Sequence, residues 1–279
     1  MDLIANIKQR IKGILSRAFK KVVRRGARVL DINLLLLAHN EMGILNYRNP
    51  NESGERYLTS VWLPEFLDQN SVGDPLFLDV GANKGDYARM LLEKYPEARL
   101  RAFEPNPHAF KMCQKKLHSF PQAKAKNIGI GAEESLMELH IPGDGEKSSH
   151  SSLYPEVLGE QHAYTDISSH NVRIESLDGL LNQGTEVHFA KIDTEGHEYD
   201  VLKGATRMVK AGSIWSVQFE FNEMNVVSRV FLRDYFQLLD DYNFYRLLPD
   251  RLEPLAYSPR QEIFQYQNIL AVHKSKDVR

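Results

Sequence analysis

The chain has 279 residues, 42% of them hydrophobic and 26% charged, with a formal net charge of −2. That profile describes a folded protein with one substantial core plus an appendage, and excludes a disordered, fibrous or nucleic-acid-binding chain. A single cysteine, Cys113, excludes an intramolecular disulfide and a cysteine-rich metal site, and fits a reducing compartment, the cytoplasm.

Residues 1–30 carry nine Lys or Arg against one acid, Asp2. Leu3, Ile4, Ile7, Ile11, Ile14, Leu15, Ala18, Phe19, Val22 and Val23 fall between them at helical spacing, so the segment reads as a basic amphipathic helix. Two readings of it stay open. Residues 1–28 lie peripherally on the anionic inner surface of a membrane, or they pack on protein with the charged face in water. No apolar run approaches the roughly 18 residues that span a bilayer, and the segment lacks the apolar core of a signal peptide. Residues 31–74 form a second segment. From residue 40 onward it contains Asn49-Pro50-Asn51-Glu52-Ser53-Gly54 and reads as a linker and lead-in helix placed to cover a ligand.

From 75 to 279 strands and helices alternate, which predicts an α/β, Rossmann-like domain: a mostly parallel seven-stranded sheet with helices on both faces. Strands are predicted at Pro75 to Val80, Leu100 to Glu104, Ala123 to Ile130, Val187 to Asp193, Ser213 to Glu220, Phe244 to Leu247 and Asn268 to His273. Helices are predicted at Tyr87 to Lys94, Pro107 to His118, Tyr199 to Val209 and Val230 to Asp240. An added strand pair, Met137 to Ile141 and Asn171 to Ser176, flanks the polar stretch 142–170, whose length suits a functional lid.

The first chemical cluster is Phe77-Leu78-Asp79-Val80-Gly81-Ala82-Asn83-Lys84-Gly85-Asp86-Tyr87, a strand, a glycine turn and a helix start. Gly81 and Gly85 let the backbone approach a ligand, and the free N–H groups of the helix favour an anionic group above the turn. Glu104, at the end of the next strand, is placed to accept the hydroxyls of a ribose. A dinucleotide fingerprint needs glycine where Asn83 and Asp86 stand, so a pyrophosphate fits poorly. The negative charge of Asp79 suits an ammonium or sulfonium, and S-adenosylmethionine carries both.

The second cluster, Lys191-Ile192-Asp193-Thr194-Glu195-Gly196-His197-Glu198, follows an apolar strand at the same carboxyl edge of the sheet. A hydroxyl that attacks an electrophile needs a base, and Asp193 or His197 supplies one, with Asp193 the first choice. Glu195 and Glu198 serve either that chemistry or the dipole of the following helix. Glu220, an acid ending an apolar strand, is placed to orient the acceptor. No metal-loop spacing is present, so a metal-free site is preferred over a divalent ion on Asp193, Glu195 and Glu220.

These residues resemble the FkbM family of S-adenosylmethionine-dependent methyltransferases over roughly Phe77 to His273. The likeness rests on Asp79-Val80-Gly81-Ala82-Asn83-Lys84-Gly85, Phe103-Glu104-Pro105, Ser176-Leu177-Asp178, Lys191 to Glu198, Val201-Leu202-Lys203-Gly204-Ala205 and Asn268-Ile269-Leu270-Ala271. The resemblance implies that Gly81, Asn83 and Gly85 hold the methionine part of the cofactor with Asp79 behind them. It implies that Glu104 takes the ribose, and that Asn106 and the strand end Asn127, Ile128 and Gly129 flank the adenine. Ser148 to Leu153 matches the family's serine-bearing loop near the acceptor. The implied reaction is O-methylation of a hydroxyl on a sugar, glycolipid, polysaccharide or secondary metabolite. Two other readings are a nicotinamide-dependent oxidoreductase and a non-catalytic membrane or partner adaptor with a vestigial cofactor fold.

Overall fold

Strand β1 (Leu76–Val80) is buried along its whole length. A strand covered on both faces has no solvent side on which to alternate polar residues, so it reads as a nearly unbroken apolar run. The computed structural model describes residues 19–143, 151–157 and 166–277. After β1 the chain forms β2 (Arg99–Phe103), β3 (Ala123–Lys126), β4 (Gly129–Ile130), β5 (Ser135–Pro142) and β6 (Ile167–Glu175). It continues with β7 (Phe189–Ile192), β8 (Ser216–Phe221), β9 (Tyr242–Leu247), β10 (Leu252–Pro254) and β11 (Gln267–His273). The main sheet has the order β10-β9-β11-β8-β7-β1-β2-β3. Strands β8, β7, β1, β2 and β3 are parallel, and β11 is antiparallel to both its neighbours. From β1 the chain builds outward through β2 and β3, then returns to place β7 on the other side of β1. The carboxyl edge between β1 and β7 is therefore the switch point, where open α/β sheets bind ligands.

The expected seven strands become eight. The added β10 is a three-residue edge strand ending on Pro254, too short for a periodic signal, and an edge tolerates proline's missing N–H. The predicted strand 123–130 divides: Ile128 enters the core, and Gly129–Ile130 joins β6 and β5 in a separate three-stranded sheet. The predicted helix 199–209 divides at Gly204 into Glu198–Lys203 and Thr206–Lys210.

Alternation along the strands sorts the core into two layers. Leu76, Leu78, Val80, Ala190, Val217 and Phe219 face one layer, closed by Val201, Leu202, Leu232 and Tyr235. Phe77, Phe189 and Leu270 face the other, closed by Ala88, Leu91 and Leu92 of the helix Asp86–Lys94 and by Leu58, Trp62, Leu63, Phe66 and Leu67. The latter five lie on a helical run, Glu55–Tyr57, a π turn Leu58–Trp62, and Leu63–Gln69. This lead-in segment packs on the sheet rather than over the ligand cleft, because its apolar residues complete the second layer. Ahead of it, residues 19–29 are helical and Leu34–Glu41 forms a further helix. The predicted helix over 1–28 lies outside the described residues as far as residue 18. No described helix is long and apolar enough to cross a membrane.

Candidate active site

A cleft of about 680 Å³, counting its solvent-open part, lies at the switch point. Val80, Gly81, Asn83, Phe103, Glu104 and Pro105 line it from the β1–β2 side, and Asp193, Thr194, Glu195 and His197 from the β7 side. Ala109, Gly129, Ile130, Leu139, Ile174, Ser151 and Leu153 complete the wall. Of the serine-bearing loop, Ser151 and Leu153 reach the cleft, whereas 148–150 lie outside the described residues.

Main-chain groups shape the β1–β2 side. The Asn83 amide donates to Glu104 Oε2 at 2.6 Å and the Asn106 amide to Glu104 Oε1 at 2.8 Å. Each carboxylate oxygen is thereby fixed while retaining a lone pair for another donor. Burial pushes the Glu104 carboxyl up to about 7, against the pull of those two amides. The glycines also have a structural role. At Gly81, with φ +80°, an added Cβ would stand 1.7 Å from the Asp193 carbonyl oxygen, and at Gly85, with φ +78°, 2.9 Å from Cys113 Sγ. Both are required by the close packing of the turn on its own protein neighbours.

Five of the residues assigned to the adenine or the methionine, Asn106, Asn127, Ile128, Asp79 and Gly85, lie off the cleft wall. Asn106 is occupied as a helix cap: its Oδ1 accepts from the His108 and Ala109 amides, and its Nδ2 donates to Ser151 Oγ at 3.0 Å. Asn127 is exposed and its Nδ2 donates to the Glu104 and Pro105 carbonyls. Ile128 belongs to the core. Gly129, also assigned there, does line the cleft, beside Pro105, Ala109 and Ile130. Asp79 is fully buried, and strand alternation sets it on the face opposite Val80. The first-turn amide of Ala88 faces its carboxyl without closing a hydrogen bond of normal geometry. Burial raises Asp79 to about 6, Lys191 opposes the shift and Asp193 adds to it.

On the β7 side, the Asp193 amide donates to the Val80 carbonyl at 2.9 Å, which ties the two strand ends together. Glu198 organises the loop: its Oε1 accepts from the Thr194 amide at 2.8 Å, Thr194 Oγ1 at 3.1 Å and the Gly196 amide at 3.2 Å. Glu195 takes a positive φ of 56° and its carbonyl accepts from Ser152 Oγ at 2.8 Å. His197 is buried, with Nδ1 at 3.3 Å from the Tyr154 hydroxyl and 3.5 Å from Asp200 Oδ2. Burial lowers its pKa further than Asp200 raises it, which leaves a neutral imidazole at pH 7.

Behind this wall the sheet carries a polar row. In register, Asp79 pairs with Lys191 and Lys191 with Gln218, so on one face three adjacent parallel strands present Asp, Lys and Gln in a line. Lys191 Nζ donates to Asp193 Oδ2 at 2.7 Å and lies 4.9 Å from the Tyr87 ring centroid. Burial alone would lower the Lys191 pKa; the charges of Asp193, Glu55 and Asp79 outweigh it and hold the ammonium charged. Gln218 accepts from the Tyr87 hydroxyl at 2.7 Å and donates to Glu55 Oε1 at 3.2 Å and Asn268 Oδ1 at 3.0 Å. Glu220 stands opposite Asn268 in the β8–β11 ladder. Its carboxyl is pushed well up by burial and by Asp193, with Lys191 opposing. Glu220 is thus on the polar row and not on the cleft wall.

Lys191, Tyr87, Gln218 and Glu55 had no role from sequence. Lys191 and Gln218 carried a signal nonetheless, as polar residues inside strands otherwise made for burial; Glu55 carried none. Among the described residues, no three His, Cys, Asp or Glu side chains converge to hold a metal.

Residues 79–245, more than half of the chain, match the family model of the methyltransferase FkbM domain. "Methyltransferase 1" of Beauveria bassiana is 29% identical over 151 residues, covering 47% of this chain and 58% of that protein. "2-O-methyltransferase NoeI" of Sinorhizobium fredii is 27% identical over 139 residues, covering 47% and 57%. The chain therefore spans less than two thirds of the length of either relative. The solved TehB-like S-adenosylmethionine-dependent methyltransferase from Corynebacterium glutamicum is 11% identical, covers 79% of this chain and 94% of its own, and superposes with a TM-score of 0.39, too loosely to add to the topology above. On the strength of the matched domain, the chain belongs to the FkbM methyltransferase family.

Proposed function

We propose that this protein is an S-adenosylmethionine-dependent O-methyltransferase whose acceptor is a hydroxyl of a sugar, carried by a glycan, glycolipid, polysaccharide or secondary metabolite. The observation that carries the proposal is the position of Asp193: it lines the cleft with Gly81 and Glu104, and its carboxylate is bonded to Lys191 of the polar row. One acid thereby joins a nucleoside-sized cleft to a buried network of hydrogen-bonding side chains that fixes its orientation. A relative named for 2-O-methyl transfer supports the hydroxyl acceptor.

The residues present fit the cofactor. Glu104, fixed by two amides, accepts from ribose hydroxyls. The Gly81 to Asn83 backbone flanks the methionine portion, and Pro105, Ala109, Gly129 and Ile130 provide a flat apolar wall for a base. When bound, S-adenosylmethionine supplies a sulfonium methyl for in-line displacement by the acceptor oxygen. Asp193 would take the proton that the acceptor hydroxyl loses as its oxygen accepts the methyl group, the thioether of the cofactor being the leaving group. Lys191 holds that carboxylate in one orientation.

The test is transfer of labelled methyl groups from S-adenosylmethionine to a panel of sugars and glycolipids, beside calorimetric titration of the cofactor. Asp193→Ala is expected to abolish turnover while leaving cofactor affinity near wild type. Glu104→Ala is expected to weaken cofactor binding at least about tenfold, the loss of one charge-assisted contact pair. Binding of NADH in place of S-adenosylmethionine, or unchanged turnover in Asp193→Ala, would sink the reading.

A further inference from the structure

Residues 19–30 hold two opposed faces. Phe19, Val22, Val23, Val29 and Leu30 recur at helical spacing on one, and Lys20, Lys21, Arg24, Arg25 and Arg28 occupy the other, with no acid in the segment. All ten are exposed, Phe19 at 69% and Val29 at 78% of their full surface. None of the five cations forms an ion pair with another described residue. The next helix, Leu34–Glu41, begins with four leucines and buries no residue. Leu35 is 66% exposed and Leu37 48%. Two successive helices thus carry an apolar surface that no part of the described chain covers.

The arm is nevertheless firmly seated at its base. Ile44 is fully buried and bridges to Gln267, the Leu45 amide donates to the Tyr266 carbonyl at 2.7 Å, and the Tyr47 and Tyr266 rings meet edge-on at 5.8 Å. Tyr266 in turn accepts from Asn268 Nδ2 at 3.0 Å. The arm joins the domain at the start of β11, the end of the sheet at which Glu220 and Asn268 stand.

We infer that the two helices dock the protein on a bilayer containing anionic lipid, with the carboxyl edge of the sheet turned toward the lipid. Charge selects this occupant. A second copy packed on the same face would gather ten cations with no acid of the segment to pair them, whereas anionic headgroups neutralise the basic face while the apolar face enters the acyl boundary. Docking does not depend on the acceptor; its use, delivery of the catalytic edge to a lipid-linked sugar, rests on the proposed methyl transfer.

The experiment is co-sedimentation of the full chain with vesicles of phosphatidylcholine alone and of phosphatidylcholine with phosphatidylglycerol, with light scattering of the free protein. No cofactor or acceptor is needed, so the outcome is separate from that of the methyl-transfer assay. Wild type is expected to sediment with the anionic vesicles and to be released by salt. Leu35→Glu with Leu37→Glu, and separately Arg24→Gln with Arg25→Gln, are expected to lower vesicle affinity by about tenfold or more, with S-adenosylmethionine binding unchanged. Three results overturn the inference: no binding by wild type, equal binding by the variants, or a dimer that Leu35→Glu dissolves in the absence of vesicle binding.

Discussion

The two sides of Asp193 are built from different materials. Toward the cleft, Glu104 is held by the amides of Asn83 and Asn106, and the turn is held by the contact of Gly81 with the Asp193 carbonyl. Across the sheet, Lys191, Tyr87, Gln218, Glu55 and Asn268 meet through side chains alone. A site whose acid is fixed by main-chain amides has its shape tied to the strand–turn–helix geometry. A side-chain network can be rewritten by single substitutions on an unchanged backbone.

Gly81→Ala gives the largest expected effect, because the new Cβ meets backbone in a left-handed conformation. A loss on the order of 4 kcal/mol is expected in a chemical melt, or failure to fold. A variant as stable as wild type would break the comparison at its root, since the cleft side would then not depend on that close approach.

Lys191→Met tests the other side. It removes one partner of a buried pair and leaves Asp193 and Asp79 without their counter-charge, which costs about 3 kcal/mol when the remaining charge stays buried. Pairing it with Asp193→Asn should restore part of that stability, and the shortfall from additivity measures the coupling. Turnover of Lys191→Met should fall about a hundredfold through loss of carboxylate orientation. Full activity would remove Lys191 from the site.

Asp79→Asn sharpens the comparison at the point where the two sides meet. In the folded chain the Asp79 carboxyl is raised to about 6 from an ordinary 3.8, so the folded state holds this proton over a pH range in which the unfolded state has released it. The group therefore lowers stability progressively as pH rises from about 4 to about 6, and that cost persists above. Glu104 and Glu198, each raised to about 7, act in the same direction up to that pH. Asp79→Asn should flatten the lower part of this slope and raise stability at pH 8 by about 3 kcal/mol. Melts at intervals from pH 4 to 8 check it; an unchanged slope would show that Asp79 shares its charge with Lys191 too closely to titrate alone.

The chain order of strands and helices was legible in the sequence, because a run buried on both faces, a glycine turn and a helix cap are local demands on consecutive residues. For the same reason the acid at the end of β2 and the loop after β7 were found as site elements. The eighth strand and the breaks at Asn127 and Gly204 were not, since short pieces carry too few residues to show a period. Asn106 shows the limit clearly: it stands just ahead of the helix start read from sequence, yet its side chain is committed to capping that helix and to Ser151.

The sequence by itself determined the α/β alternation, the place of the glycine turn and the amphipathic character of the first helix, all set by spacing along the chain. Only the tertiary structure decided that Asp79, Lys191 and Gln218 form one row, that Gly81 is required by the Asp193 carbonyl, and that no described residue covers the leucines of Leu34–Glu41. Each of those depends on the register and packing of segments far apart in sequence, and a one-residue slip in strand pairing would have put the lysine on the opposite face.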